Sequence, residues 1–300
     1  MSAKKIVECV VNYSEGRDED KISRITGPFR ETPDCHLVNV EADKDYNRVV
    51  VTVMGEPEAV KKAVIASVGI ARDEIDMTRH EGQHPRMGAT DVIPFIPIRN
   101  MTMEECVLLA QEVGRHIADA YDIPVFLYEK AASKAERENL ATVRKGQFEG
   151  MAQKLQDPQW QPDFGRPEIH PTAGVTAVGA RMPLVAYNID LDTTDITIAN
   201  NIAKVIRHSG GGFRYIKAGG VEIAQRGITQ VTMNITDYTK VSIYRVFETV
   251  KMEARRYGVT VLGSEIIGLV PMEALMDTAA YYLGLYGFNA SKVIENNLAE

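Results

Sequence analysis

The sequence predicts an α/β chain of the α+β kind, built as two tandem βαββαβ-type units. Three observations carry this. Hydrophobic periodicity alternates between strand and helix over residues 6–98 in the order β-α-β-β-α-β. The same order returns over residues 184–267. Between them, residues 139–172 are rich in Pro, Gly and polar side chains and read as a loop or linker. The repeated order is the split βαβ pattern of ferredoxin-like folds. Two such subdomains would leave a ligand cleft between their sheets, the kind of junction that ligand sites favour. The expected domains are residues 1–180 and 181–300.

Each element has a local reason. Residues 6–11 (Ile-Val-Glu-Cys-Val-Val) are a strand ending in the turn Asn12-Tyr13-Ser14-Glu15-Gly16. Residues 18–30 form an amphipathic helix. Two β-rich runs, 36–41 and 49–54, flank a polar hairpin turn at 42–48. Helix 56–75 has apolar residues at Val60, Val64, Val68 and Ala71. Residues 90–98 are a strand whose Pro94 and Pro97 suggest an edge or an irregular end. Thr102-x-x-Glu105 is a capping box that starts a helix over 102–120. A short strand follows at 124–128. In the second half, strand 184–191 leads to a helix over 194–208, capped by Asp192 or Thr193. Gly210, Gly211 and Gly212 end that helix. Strands at 213–217 and 228–234 follow, with 221–225 extending the first. Helix 241–257 and strand 259–267 close the unit. Tyr281, Tyr282, Tyr286 and Phe288 lie at roughly helical spacing and read as core packing. Trp160 reads as an anchor for the linker.

Composition removes several function classes. The chain has 300 residues, 45% apolar and 25% charged, as ordinary globular proteins do. Net charge is −7 with no long basic run, which argues against nucleic acid. No apolar stretch is long enough to span a bilayer, and the N-terminus lacks the features of a signal peptide. Cys9, Cys35 and Cys106 are an odd count without C-x-x-C. They fit buried thiols in a reducing cytoplasm.

The stretch from Arg79 to Ala89 carries the chemistry: Arg-His-Glu-Gly-Gln-His-Pro-Arg-Met-Gly-Ala. His80-Glu81-Gly82-Gln83-His84 spells H-E-x-x-H, the zinc hydrolase pattern. That reading needs a helix, so that residues i and i+4 share a face. Gly82 disfavours the turn by about 1 kcal/mol relative to Ala. Pro85 pushes His84 out of the α region. His84 is therefore expected on an extended loop, as an acid/base group; composition alone would leave it an ordinary surface histidine. His80, near the end of a helix, reads as structural. Arg48, Arg79 and Arg86 are candidates for binding substrate carboxylates. The triple glycine follows a helix and lacks the P-loop pattern, so it reads as a turn.

Taken together, the chain resembles the formiminotransferase family, the folate-dependent glutamate formimidoyltransferases. The resemblance rests on Glu8-Cys9-Val10, Asn12-Tyr13-Ser14-Glu15-Gly16, residues 75–80, His84-Pro85-Arg86-Met87-Gly88-Ala89 with Asp91, and Pro94-Phe95-Ile96-Pro97. Trp160-x-Pro162-Asp163-Phe164-Gly165, Gly179-Ala180-Arg181, Val261-x-Gly263-Ser264 and Gly268-Leu269-Val270-Pro271 extend it through both halves. It implies folate bound between two α/β subdomains. The implied reaction moves a formimino group from N-formimino-L-glutamate to N5 of tetrahydrofolate, a step of histidine breakdown. Tetrahydrofolate is then a co-substrate, and no metal is expected. The resemblance makes His84 catalytic and overturns its bland reading. It maps folate binding onto Gly165, Arg166, Pro167, Glu168, Ile169, His170, Pro171, Thr172, Ala173 and Gly174. A homodimer is implied. Val11 stands where the family usually has Pro, Tyr13 replaces Phe, and the proline after Asp163-Phe164-Gly165 is displaced to Pro167. Glu41 stands where relatives commonly carry Asp, and is a weaker catalytic candidate that could orient His84 or stabilise the cationic amidinium. The sequence stops at Glu300, so a separate cyclodeaminase is expected downstream. Three alternatives stay open: a zinc hydrolase using His80, Glu81 and His84, a noncatalytic folate-binding module, and formyl transfer between 5-formyltetrahydrofolate and glutamate.

Overall fold

The computed structural model describes residues 4–82 and 84–297. The chain divides into two compact units, residues 1–181 and 182–300. The first opens with β1 (Ile6–Tyr13), α1 (Glu19–Glu31), β2 (Cys35–Asp43), β3 (Arg48–Gly55), α2 (Pro57–Glu74) and β4 (Thr90–Arg99). It continues with α3 (Met103–Tyr121), β5 (Val125–Glu129), α4 (Leu140–Arg144), α5 (Gln147–Lys154) and β6 (Thr176–Ala180). These strands form one sheet in the order β2-β3-β1-β4-β6-β5. The first four have the βαββαβ arrangement and pair antiparallel; β6 adds to β4 in parallel, and β5 to β6 in parallel.

Local chemistry sets the helix ends. The Asp18 side chain accepts from the Asp20 and Lys21 amides, leaving α1 to begin at Glu19. The expected capping box is present: Glu105 N donates to Thr102 Oγ1 at 3.2 Å, and Thr102 N donates to Glu105 Oε2 at 2.9 Å. Strand alternation splits the sheet into two faces. One face buries Val7, Cys9, Val11, Val51, Val53, Ile93 and Phe95 against α1, α2 and α3. Each such side chain contributes roughly 1.5–3 kcal/mol by leaving water. On the other face, α4 and α5 cover the β4-β6-β5 half through Met87, Val92, Phe126, Tyr128, Val143 and Met151. The β1-β3-β2 half of that face carries Glu8, Asn12, Glu41 and Thr52.

The second unit comprises β7 (Val185–Leu191), α6 (Ile196–Ile206), β8 (Ile216–Ile223), β9 (Ile228–Ile235), α7 (Ile243–Arg256), β10 (Val261–Ile267) and α8 (Met272–Leu283). Its sheet runs β10-β7-β9-β8, antiparallel throughout. This is the same strand arrangement as β4-β1-β3-β2. Its core packs Ile189, Leu191, Val231 and Met233 against Ile202, Ile206, Val246 and Val250.

Several expectations need correction. The segment 139–172 is not structureless, because Asn139 caps α4 and a short turn at Pro158–Trp160 follows α5. These helices are too short for periodicity to show. β4 is interior, flanked by β1 and β6, despite its two prolines. Its ladder with β1 pairs Cys9 with Phe95 and resumes at Asn12 with Val92, passing over Pro94, and shifts register beside Pro97. Asp195, not Asp192 or Thr193, caps α6. Tyr281, Tyr282 and Tyr286 are 52%, 50% and 98% exposed, so they are not core; Ala274 is the buried residue of α8. The glycine turn does close α6, with Gly212 N donating to Arg207 O at 3.0 Å. Cys9, Cys35 and Cys106 are buried and unpaired, and burial raises all three thiols. Among the described residues no helix is long and apolar enough to cross a membrane.

Candidate active site

Three loops of the first unit meet at the ends of its strands. The first is the turn after β1, the second the β2–β3 hairpin, the third residues 75–89. Asn47 joins all three. Its Oδ1 accepts from Gly16 N at 3.0 Å, and its Nδ2 donates to Glu81 O at 2.9 Å. Its own carbonyl accepts from His80 Nε2 at 2.9 Å. Asn47 adopts φ 47°, a left-handed conformation that asparagine tolerates better than most residues. The Ser14 hydroxyl donates to Gly88 O at 2.8 Å, and Ser14 N donates to Ala89 O at 2.9 Å.

The loop that carries His84 is clasped from the other side by residues 170–175. Ala89 N donates to Ala173 O at 2.9 Å, and Val175 N donates to Met87 O at 3.2 Å. Gly88 and Gly174 bridge directly. A Cβ on Gly88 would stand 2.3 Å from Val175 O, and one on Gly174 2.2 Å from Met87 O. Only glycine permits this approach. Thus part of the expected folate segment does meet the His84 loop, through Ala173 and Gly174. Its start does not: Arg166 pairs with Asp122 past the end of α3. His170 Nδ1 accepts from Ala173 N at 2.9 Å and shapes the turn. Gly165, Pro167, Glu168 and Pro171 are exposed, while Ile169 packs beside Val175 and Ala177.

His80 and His84 do not share a helical face, since the described residues from 75 to 89 contain no helix; the motif's Gln83 lies outside the described residues. His80 sits past the end of α2, so the helix dipole is not what holds it. Its Nε2–H reaches Asn47 O, and its Nδ1 accepts from Arg86 Nε at 3.2 Å. Both nitrogens are engaged, and neither is available to a metal. Among the described residues no group of three or more His, Cys, Asp or Glu is placed to hold one.

His84 is different. Its Nε2 is buried without a hydrogen-bond partner and stands 3.8 Å from Asp91 Oδ2, an electrostatic contact too long for a hydrogen bond. Tyr46 meets the ring edge-on at 6.3 Å between centroids. Asp91 is 1% exposed. Its Oδ1 accepts from Met87 N at 2.8 Å, and its Oδ2 accepts from Arg144 Nη2 at 2.5 Å. Arg48, whose guanidinium lies 5.7 Å from the Tyr46 ring, has a buried Nε without a partner. Burial lowers the His84 pKa below 6.5; Arg48 and Arg144 lower it further, and Asp91 only partly opposes them. The ring is neutral at pH 7 and able to accept a proton. Arg144 lowers the Asp91 pKa against its burial, which keeps it ionised.

The other expected residues fall in separate places. Arg86 is 7% exposed and fully occupied, holding Glu149 through two bonds of 2.7 and 2.9 Å as well as His80. Arg79 is exposed beside Asp76. Glu41 is exposed on β2 and accepts from Asn39 Nδ2 at 2.7 Å. The carboxylate beside His84 is Asp91. In the sequence Asp91 belongs to the family motif without a role of its own, and Arg144 lies in the stretch that reads as linker. Asp91 lies at the start of an apolar strand, and a charge there was the available signal.

Two outcomes test this geometry. Gly88→Ala should destabilise the protein by about 1–3 kcal/mol in chemical unfolding, because the added methyl has no space; an unchanged midpoint would refute the clasp. His80, His84 and His170 all have folded pKa values below 6.5. The unfolded chain therefore takes up protons first, so their contribution is complete above pH 6.5 and shrinks as pH falls. Urea midpoints should drop from pH 7.5 to 5, and less steeply in His80→Gln; equal slopes would count against His80 as a contributor.

Comparison with known proteins gives the family of the chain. The profile described as formiminotransferase domain, N-terminal subdomain, matches residues 6–181, and the formiminotransferase domain profile matches residues 186–295. The chain is 52% identical over 295 residues to a glutamate formimidoyltransferase of Streptococcus pyogenes serotype M1, covering 98% of this chain and 99% of that one. It is 40% identical to the glutamate formimidoyltransferase of Thermoplasma acidophilum, covering 98% and 97% of the two chains. The formimidoyltransferase-cyclodeaminase of Mus musculus is 39% identical across 93% of this chain, which spans 52% of that longer protein. The chain belongs to the formiminotransferase family.

Proposed function

We propose that this chain transfers the formimino group of N-formimino-L-glutamate to N5 of tetrahydrofolate, releasing L-glutamate, and that His84 carries the proton. The family and the 52% identity over nearly the full length support the reaction. The observation that carries the residue assignment is the partly buried, neutral His84 ring, its Nε2 facing an ionised Asp91.

The chemistry asks for one base that can become an acid. N5 attacks the formimino carbon, forming a C–N bond and a tetrahedral centre. The N5 proton passes to His84. The protonated ring then gives its proton to the glutamate nitrogen as the old C–N bond breaks. No electrons are exchanged, and the imidazole ends as it began. A ring with a pKa near the working pH serves both steps. Asp91 would stabilise the transient imidazolium. Holding both substrates in one place supplies a further part of the rate.

Of the three arginine candidates, Arg48 fits a substrate carboxylate best, since it lies close to His84 with a buried, unsatisfied Nε. Arg86 serves the loop itself. Arg79, exposed, suits the outer end of a folate tail. The exposed Gly165, Pro167, Glu168 and Pro171 would meet folate, while Thr172, Ala173 and Gly174 hold the 75–89 segment through their backbone. Glu41, bonded to Asn39 and not to His84, is left the other role, stabilising the cationic amidinium.

The test is His84→Ala. Calorimetry should show folate binding retained, while turnover with formiminoglutamate and tetrahydrofolate falls about 10²–10⁴-fold. Near-normal turnover would rule out the assignment.

A further inference from the structure

α4 is a helix of five residues in a segment that sequence alone reads as linker, yet it delivers one charged side chain to the centre of the site. Arg144 Nη2 donates to Asp91 Oδ2 at 2.5 Å, the same oxygen that faces His84 Nε2 at 3.8 Å. The other Asp91 oxygen is fixed by Met87 N in the His84 loop. One carboxylate is thus pinned between a guanidinium and a backbone amide, and its direction toward the imidazole is set by both.

α4 is itself held firmly. Asn139 Oδ1 caps its start, accepting from Ala141 N at 3.1 Å. The Lys154 ammonium, from α5, donates to the carbonyls of Thr142 at 2.8 Å and Val143 at 2.6 Å. Val143 is buried among Met87, Val92 and Phe126. Arg144 is 17% exposed at the side chain, and its Nε is buried without a partner. A cation left partly unsatisfied in this way is costly unless it acts on its neighbours.

We propose that Arg144 is a positioning residue for His84, acting through Asp91: it holds the carboxylate in place and tempers its pull on the proton that the imidazole must first take and then release. This deepens the reading of His84 as the proton carrier and rests on it. The groups facing the ring are Asp91 on β4, Arg144 on α4, and Tyr46 and Arg48 from the β2–β3 hairpin. Asp91 alone would make His84 too strong a base to protonate the leaving nitrogen readily. With Arg144 bonded to it, part of that charge is neutralised. Arg48 adds to the effect but makes no bond to Asp91, so it cannot orient the carboxylate.

The experiment follows the ring titration of His84 by NMR in the full-length protein, with the signal assigned by its absence in His84→Ala. Arg144→Gln should raise the His84 pKa by about one unit. It should also lower kcat at pH 6 about two- to fivefold while KM for tetrahydrofolate stays unchanged, a loss in the proton step and not in binding. Arg144→Lys keeps the charge and should leave the titration near that of the parent. Asp91→Asn is isosteric, still accepts from Met87 N, and should move the His84 titration the opposite way, downward. This variant carries the test if Arg144→Gln does not fold. A His84 titration unmoved in Arg144→Gln or in Asp91→Asn, or moved equally by Arg144→Lys, overturns the inference. If the titration moves as expected but the pH dependence of turnover does not follow, the assignment of His84 as proton carrier fails, and the coupling of Arg144 to it stands.

Discussion

Close backbone contact among three loops is the constraint on which the site depends. Asn47 bonds the turn after β1, the hairpin that contains it, and the segment leading to His84. On the far side Gly88 lies directly against Gly174. These contacts leave no room for the segment to coil, so H-E-x-x-H is present as letters but not as a helical face. Each bond is worth only about 0.5–1.5 kcal/mol net. Their sum is spread over residues distant in sequence, which fixes a loop that has little propensity for any regular structure.

Within that frame, electrostatics decides what His84 can do. Burial disfavours the imidazolium. A carboxylate at 3.8 Å favours it, and two nearby guanidiniums oppose it again. Burial and the cations win, so the ring is neutral at pH 7. Asp91 presents the opposite case. Its burial alone would favour the neutral acid, but the bonds from Arg144 and Met87 outweigh that. The pair is therefore a neutral base beside a fixed anion, in which the anion offsets part, but not all, of the cost of charging the ring.

Much of the fold was legible because periodicity is strong where elements are long. β1, α1, α2, α3 and the whole second βαββαβ unit follow their hydrophobic patterns. β6 was missed because Thr-Ala-Val-Gly-Ala is short and built of small residues, though it is a central strand. α4 and α5 were missed because helices of five and eight residues hold too few turns to show a period. For the site, Pro85 correctly placed His84 off a helix. Arg86 looked like a substrate contact by its position beside His84, yet its bonds run to Glu149, 63 residues away. Arg144 reaches Asp91 across 53 residues. Spacing along a chain cannot report such pairs, because they exist only once α4 has packed against the sheet.

The central claim is that the half-buried His84 ring is the group whose protonation stops the reaction. The most direct measurement compares two titrations in the same buffer: the acid limb of kcat/KM for formiminoglutamate with tetrahydrofolate, and the NMR titration of the His84 ring. The account predicts a single-proton acid limb that coincides with the ring titration and lies below pH 6.5. An acid limb that departs from the ring titration, or a His84 ring that titrates above 6.5, would contradict it.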